Sequence, residues 1–414
     1  MTMLATIFRE QMKQTKDITK MTEMNYSVSY PTGFVNLDFA NGYIQEINNK
    51  KYYTLGISDG SINMLIGEAS TGKTSLLVTI ACNIVRSFKT SCVFFEQAEV
   101  GTNIQRIKNL AGFKSDEEFN NRFIIRDSGI TTESIYERVR TVHDIKVENP
   151  DNYLYDTGLK DMAGQEIYKF EPTIFIIDSL RMVLSKKNAE SSDVNNMSAA
   201  VAAKTNSEYY TKMVPLCREA NIIMIIINHI TQDINTGFLP KKSELPYLRQ
   251  GEHLGGSKLI IYLCNNIFRL DIKSKLKAEE GFKIDGSCVS IDIVKSRTNK
   301  SGRARCTLVF NQETGFDPDL SLFLMLKEEK LLEGAGAYLR VPGCDVKFSQ
   351  ATFKQTLYSN QELYNAFIKV CIDHLSKDLM EEFNRANEKV IKENTDHKPV
   401  YQTILEKLKE VNTD

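Results

Sequence analysis

The sequence predicts an α/β fold with a buried, mainly parallel central sheet. Two observations support this prediction: short apolar runs rich in β-branched residues recur along the chain, and segments with helical spacing separate them. Strands covered by helices on both faces read as continuous apolar runs, because neither face meets water. The clearest runs span residues 62–66, 92–95, 174–177, 222–227 and 288–294.

Composition limits the class of protein. With 414 residues, 42% of them hydrophobic, the chain can bury one large core and still form a second, smaller unit. The 52 Lys and Arg residues nearly balance the 53 Asp and Glu residues, so any nucleic-acid binding must be local rather than driven by a global positive field. We find neither a membrane-spanning run nor a secretory signal, and expect a soluble, cytoplasmic protein without membrane partners.

The cysteines indicate neither a disulfide framework nor a zinc site. All eight are scattered along the chain, without C-x-x-C spacing or paired histidines. Structural zinc sites and disulfide-rich domains both need regular spacing of their cysteines. We therefore expect reduced, buried cysteines.

The N-terminal segment, residues 1–25, has the pattern of an amphipathic helical arm. Its apolar residues recur at helical spacing and form one stripe: Leu4, Ile7, Phe8 and Met12. Such a stripe must pack against another surface, so the segment is a candidate oligomerisation arm. We expect a core over residues 26–318 and a C-terminal domain over residues 319–414, where helical periodicity returns.

A glycine-rich loop follows the first apolar run and precedes a helix. In this order, backbone amides and a helix N-terminus converge on a phosphate. Lys73 would neutralise phosphate oxygens, and the Thr74 hydroxyl would ligate Mg²⁺. The cofactors implied are ATP and Mg²⁺. The residues expected around the phosphates are Gly67, Glu68, Ala69, Ser70, Thr71, Gly72, Lys73, Thr74 and Ser75.

Carboxylates end two further predicted strands. Asp178 ends the third apolar run, where it could hold the Mg²⁺ shell at the carboxyl edge of a parallel sheet. Glu96 and Glu99 follow the second run, and either could polarise an attacking water. We favour Glu99, and the alternative is that one of the two only ends the strand.

The fourth apolar run ends in Asn228 and His229. Polar groups at this edge of the sheet could reach the γ-phosphate and act as its sensor. A purely structural histidine is an equal alternative.

A long polar segment, residues 230–256, follows this strand. Loops of such length inside a compact domain are usually functional. Cations can meet DNA phosphates and rings can stack on bases, so the segment is a candidate site for single-stranded DNA, with an ordinary solvated loop as the alternative. The candidate DNA-binding residues are Phe238, Lys241, Lys242, Tyr247 and Arg249.

Two other segments stand out. A basic stretch carries Lys295 and Arg297 at the end of a strand, with Lys300, Arg303 and Arg305 beyond it. These cations could form a solvated face, or reach the nucleotide of a neighbouring subunit and stabilise its transition state. Residues 144–170 are polar and turn-rich, and we interpret them as a surface insertion without assigned chemistry.

Taken together, these motifs resemble the RecA/RadA recombinases, and within them the UvsX-type recombinases of tailed bacteriophages, from about residue 29 to residue 371. The motifs that carry the resemblance are PTGFVNLDFANG, the glycine-rich loop, AEVGTNIQRI, IDSL, INH, GEHLGGSKLIIYLCNNIFRLDI, VKSRT, KLLEGAGAYLRV and ATFKQTLYSNQELYNAFIKV. The lengthened segments 43–60 and 144–170, and one extra residue between Glu96 and Glu99, depart from the pattern.

The resemblance implies a RecA-type P-loop ATPase core with a small C-terminal α+β domain. It implies that Glu99 is catalytic and that Lys295 and Arg297 act across a subunit interface. Two DNA loops follow from it, over residues 184–206 and 230–256, the second ending at Gly255 and Gly256.

The function implied is a DNA-dependent ATPase that forms helical filaments on single-stranded DNA and pairs it with a homologous duplex in recombination and repair. Loader or single-strand-binding proteins would assist it, and the setting would be a phage protein inside a bacterial host. Two alternatives remain. A hexameric replicative helicase shares PTGF, the loop and a KxRxxxxG-like stretch, although we expect no helicase-type N-terminal domain ahead of the core. A non-catalytic module would use ATP only to set its assembly state.

Overall fold

The computed structural model describes residues 27–47, 49–99, 101, 103–161, 164–186, 189, 196–232, 245–256, 258–276, 286–297 and 305–396, with side chains except at 196–204, 335 and 386–396. The predicted arm at 1–25 lies outside the described residues. So do Phe238, Lys241, Lys242, Lys300 and Arg303. The predictions made for these residues stay predictions.

The strands are short and are spread along the whole described chain. They are β1 (Ser29–Tyr30), β2 (Tyr43–Ile47), β3 (Lys50–Thr54), β4 (Ile57–Ser58), β5 (Ile62–Gly67), β6 (Val93–Gln97), β7 (Phe123–Arg126), β8 (Leu154–Lys160), β9 (Glu166–Phe170), β10 (Thr173–Asp178), β11 (Ile222–Gln232), β12 (Glu252–Leu254), β13 (Asn266–Leu276), β14 (Gly286–Ser296), β15 (Arg305–Asn311), β16 (Gly315–Asp317), β17 (Glu333–Ala335) and β18 (Tyr338–Arg340).

Helices alternate with these strands through the core and dominate the C-terminal part. They are α1 (Val35–Ala40), α2 (Lys73–Arg86), α3 (Ile104–Ala111), α4 (Asp116–Arg122), α5 (Thr132–Glu148), α6 (Pro150–Tyr153), α7 (Asn196–Glu219), α8 (Lys258–Leu263), α9 (Pro318–Glu328), α10 (Phe353–Ser359) and α11 (Gln361–Asp396). A 3₁₀ turn spans Leu180–Met182.

The central sheet has ten strands within the described residues and is mostly parallel. Six neighbours in the order β13-β5-β11-β10-β6-β7 run parallel. Strands β14, β15 and β16 extend the sheet antiparallel from β13, and β12 pairs antiparallel with the end of β11. All five predicted apolar runs form strands of this sheet, the last of them in its antiparallel part. The α/β class is confirmed at this level.

Helices cover both faces of the sheet, which explains why its strands are continuously apolar. On β11, Ile223 and Ile225 pack into a cluster with α2, whereas Met224 and Ile226 pack into a second cluster with α5, α7 and α8. Successive side chains of a strand point to opposite faces, so a strand between two helical layers buries all of them.

The carboxyl ends of the parallel strands bring distant residues to one edge of the sheet. The register pairs His229 of β11 with Gly67 of β5, and Asp178 of β10 with Gln97 of β6. The glycine-rich loop and the predicted carboxylates therefore share this edge, as ligand sites in parallel sheets commonly do.

The predicted insertion begins later than residue 144. Residues up to 148 form the last turn of α5, and the rest of the segment forms α6 and the β8–β9 hairpin. The reason is Lys146, which is buried and donates hydrogen bonds to the carbonyl oxygens of Glu171 (2.7 Å) and Ala220 (2.9 Å). The other lengthened segment, 43–60, contains the β2–β3 hairpin.

The C-terminal residues up to 396 form an α+β arrangement of three helices and the β17–β18 hairpin. Helix α9 starts at Pro318, where the Asp317 side chain accepts a hydrogen bond from the Leu320 amide (3.0 Å). The hydrophobic cluster around Phe323 and Phe353 also includes Val309 of the central sheet. The C-terminal part thus packs directly on the core, and the boundary at residue 319 stays a prediction.

Two compositional predictions can be compared with the fold. The eight cysteines are free, and seven of them are buried. Within the described ranges, no helix is both long enough and apolar enough to cross a membrane.

Candidate functional site

The glycine-rich loop runs from the end of β5 to the start of α2 and leaves the amides at the helix start without a side-chain acceptor. Gly72 is the N-cap residue, with φ +84°, and no side chain caps α2. A Cβ at Gly72 would lie 3.0 Å from the rings of Phe310 and Phe316, so both the backbone angle and the space favour glycine. An uncapped helix N-terminus is suited to an anion.

Lys73 lies inside this loop. Its buried ammonium group donates hydrogen bonds to the carbonyl oxygens of Gly67 (3.1 Å) and Glu68 (2.5 Å). Burial lowers the pKa of Lys73 to about 8, while the negative charges of Asp178, Glu99 and Glu68 act in the opposite direction. A cation held in the loop has the charge and the position to meet phosphate oxygens.

Thr74 and Asp178 form a pair of oxygen ligands beside Lys73. The Thr74 hydroxyl donates to Asp178 Oδ2 at 2.7 Å, and Asp178 is buried. Burial raises the pKa of Asp178, and the Thr74 hydrogen bond lowers it. In the part of the chain that the structure describes, no group of three His, Cys, Asp or Glu side chains could hold a metal by itself. One carboxylate and one hydroxyl fit Mg²⁺, which completes its shell with nucleotide oxygens and water.

Glu99 and His229 face the same space. Glu99 Oε2 lies 3.0 Å from His229 Nε2, and the Glu99 amide donates to the carbonyl oxygen of Asp178 (2.8 Å). The Glu99 side chain is 53% exposed, so it can contact water as well as a ligand. Asn228, by contrast, donates to the carbonyl oxygen of Gly255 (2.9 Å) and does not line this pocket.

Glu96 lies on β6, three residues before Glu99, but does not line the pocket. Its carboxylate is buried and accepts two hydrogen bonds from the Arg138 guanidinium on α5, one of them at 2.8 Å. Burial raises the pKa of Glu96 to about 7, while the positive charge of Arg126 acts in the opposite direction. Glu99 is therefore the better placed of the two catalytic candidates.

The pocket extends beyond the phosphate loop and has a volume of about 510 Å³. Residues of α3 and of the end of β15 also line it, with Gln312 directly after that strand. Ile107, Leu110 and Phe310 are the apolar surfaces, and Arg106 and Gln312 are the polar groups. Arg106 donates to the Ser75 hydroxyl at 3.0 Å. Such a cleft suits a planar base attached to the phosphates. The prediction missed these residues, although the helical spacing after Glu99 could have indicated α3.

Lys295 and Arg297 lie at the opposite edge of the sheet. Gly67 pairs with Leu270 of β13, whereas Asn266 at the other end of β13 pairs with Ser296. Four residues of strand separate the two ends, which is about 13 Å. Both cations donate to the Tyr262 carbonyl oxygen at the end of α8. They cannot serve the pocket of their own chain, so a role at a nucleotide requires another copy.

The described part of the second predicted DNA loop is held by ion pairs. The Arg249 side chain is 65% exposed and donates to Asp271 (3.0 Å), and the buried Arg269 bridges Asp271 and Glu252. Tyr247 packs against the hydrophobic cluster of α7 and α8, and its hydroxyl is buried, so stacking on a base requires this ring to move. Gly255 and Gly256 follow β12.

The site thus brings a phosphate-binding loop, a cation, an oxygen-ligand pair and a carboxylate–imidazole pair around one pocket. This combination can bind a nucleoside triphosphate with Mg²⁺ and direct a water to its terminal phosphate. A scan against protein-family models and a search of curated proteins find no match to this chain.

Proposed function

We propose that this chain is an ATP-dependent DNA recombinase. It hydrolyses ATP at this pocket, forms filaments on single-stranded DNA and pairs that strand with a homologous duplex. The observation that carries the proposal is the convergence of Lys73, Thr74–Asp178 and Glu99–His229 on one pocket at the carboxyl edge of the sheet. The choice of a recombinase rests in addition on the resemblance to the RecA/RadA recombinases.

Each residue of the site has a separate role in the proposed hydrolysis of ATP. The loop amides and Lys73 bind and orient the phosphates, and Thr74 and Asp178 are the residues that would hold Mg²⁺. When bound, Mg²⁺ supplies positive charge that offsets the charge developing on the phosphate oxygens. Glu99 is partly exposed and accepts a proton from water, and His229 fixes the orientation of its carboxylate.

The position of Lys295 and Arg297, at the edge of the sheet opposite the pocket, supports an assembly with ATP at protomer interfaces. Lys295 and Arg297 are anchored at the end of α8 and lie away from their own pocket. In a head-to-tail assembly, one edge of each sheet faces the other edge of the next copy, and open assemblies of this kind are helical filaments. Lys295 and Arg297 then stabilise the transition state of the neighbouring copy.

Two single substitutions, one in the loop and one as its control, test the nucleotide site. Lys73→Ala should abolish ATP hydrolysis and ATP-dependent filament formation together, because both depend on phosphate binding. Lys89→Ala removes an exposed lysine beyond the end of the same helix and should behave as wild type. Electron microscopy and phosphate release, each with and without single-stranded DNA, give the two readouts. Tight ATP-dependent filaments of Lys73→Ala would contradict the proposal.

The same measurements separate the alternatives. Ring-shaped hexamers that unwind forks in one direction would favour a helicase. Bound nucleotide without hydrolysis, under every DNA condition, would favour a non-catalytic assembly module.

A further inference from the structure

Arg181 lies on a 3₁₀ turn directly after the Asp178 strand, and its side chain is exposed while its backbone is held in place. Leu180 and Val183 are buried on either side, whereas Arg181 and Met182 are exposed. Two backbone hydrogen bonds close the turn, from the Met182 amide to Ser179 (3.1 Å) and from the Val183 amide to Leu180 (3.2 Å). The backbone of Arg181 is therefore fixed by its neighbours.

This turn packs against the end of the second predicted DNA loop. A Cβ built on Gly255 would lie 3.5 Å from Arg181 Cγ, and one on Gly256 would lie 3.2 Å from Leu180 Cδ2. The stem of Arg181 thus runs along the Gly255 backbone. The first predicted DNA loop starts at residue 184, so Arg181 stands where the start of one loop meets the end of the other.

Arg181 differs from three other arginines of the core in having no acidic partner among the described residues. Arg249 contacts Asp271, Arg269 contacts Glu252, and Arg138 contacts Glu96. Arg181 makes neither a hydrogen bond nor an ion pair with any residue in the described ranges. A guanidinium group presents a fork of donors that matches a phosphate group, and here none of them is already engaged by the described protein.

We propose that Arg181 binds a backbone phosphate of single-stranded DNA. This inference rests on the proposed function, which supplies the DNA, and it adds a residue between the two loops. The Gly255 backbone beside Arg181 is held by Asn228, and the next residue, His229, contacts Glu99 in the nucleotide pocket. A chain of contacts thus runs from the stem of Arg181 through the Gly255 backbone and Asn228 to His229 and Glu99.

The test is the affinity for a fluorescent oligothymidylate, measured by anisotropy over a series of salt concentrations with a slowly hydrolysed ATP analogue. Arg181→Ala should weaken binding by about tenfold and reduce the slope of log affinity against log salt by about 0.7, the loss of one phosphate contact. Arg181→Lys keeps the charge and should retain the slope. Arg140→Ala removes an exposed arginine on α5 and should match wild type.

Thermal unfolding of each variant checks that the fold is intact. Equal affinities of wild type and Arg181→Ala would overturn the inference and leave the proposed function standing. An equal loss in Arg140→Ala would also overturn it, because the effect would then follow net charge. No binding by the wild-type protein would instead count against the proposed function.

Discussion

Glu96 and Glu99 lie three residues apart, and neutralising each of them should have opposite consequences. Glu99→Gln removes the group that accepts a proton from water, and the loss of a general base costs about 10²–10⁴ in rate. Lys73, Thr74 and Asp178 remain in place, so nucleotide should still bind. The stability should change little, because the Glu99 side chain is 53% exposed.

Glu96→Gln removes one charge of a buried ion pair and places an amide NH₂ group against the donors of Arg138. Both carboxylate oxygens of Glu96 are engaged by Arg138. Removing one partner of a buried pair costs about 3–5 kcal/mol, and the lower value applies because Gln retains one acceptor. Hydrolysis at a temperature where the variant is folded should stay close to wild type.

The assays are single-turnover ATP hydrolysis with single-stranded DNA, binding of a fluorescent ATP analogue, and urea unfolding. The expected result is a slow but stable Glu99→Gln and an active but destabilised Glu96→Gln. The reverse pattern, with hydrolysis lost in Glu96→Gln and retained in Glu99→Gln, would refute the assignment of Glu99.

Three further substitutions test other parts of the account. Burial lowers the pKa of Lys146 to about 7 in the folded protein. Above that pH the unfolded chain binds more protons than the folded chain does. The free energy of unfolding should therefore rise with pH by up to about 1.4 kcal/mol per unit between pH 7 and 10. Urea unfolding should show a flatter dependence for Lys146→Met, and equal slopes would contradict this cause. Asp271→Asn removes the carboxylate that contacts both Arg249 and the buried Arg269. Loss of the exposed Arg249 contact should tighten single-stranded DNA binding about threefold at a temperature where the variant is folded. An equal gain in an Arg249→Ala background would rule out this explanation. Asp178→Asn should raise the Mg²⁺ concentration for half-maximal hydrolysis by at least about tenfold, and an unchanged requirement would remove Asp178 from the metal site.

Much of the fold and site could be predicted because the relevant signals are local in sequence. Apolar runs identify strands, and polar residues directly after them fall at one edge when the strands are parallel. On this basis the sequence predicted that Asp178, Glu99 and His229 lie close to the loop that contains Lys73. The sequence favoured Glu99 but left Glu96 open, because the position of Glu96 depends on its contact with Arg138, 42 residues away.

Other features were missed because they depend on long-range packing. Lys146 belongs to a polar stretch that looked like surface, yet its ammonium group is buried against two carbonyl oxygens. Tyr247 lies in a segment with the composition of a DNA-binding loop, and the sequence did not show that its ring packs on the core; its role in DNA binding stays a prediction. Arg106 on α3 and Phe310 on β15 reach the pocket from elements that are distant in sequence from the glycine-rich loop. Burial of this kind follows from tertiary neighbours, which a single sequence does not specify.

The central claim is that this chain pairs homologous DNA, and D-loop formation tests it most directly. The reaction contains the protein, ATP, Mg²⁺, a labelled single-stranded oligonucleotide and a homologous supercoiled plasmid, with a non-homologous plasmid as the control. The account predicts a joint product that requires both ATP and homology. Absence of product from a protein that hydrolyses ATP in response to single-stranded DNA, with or without an added loader, would contradict it.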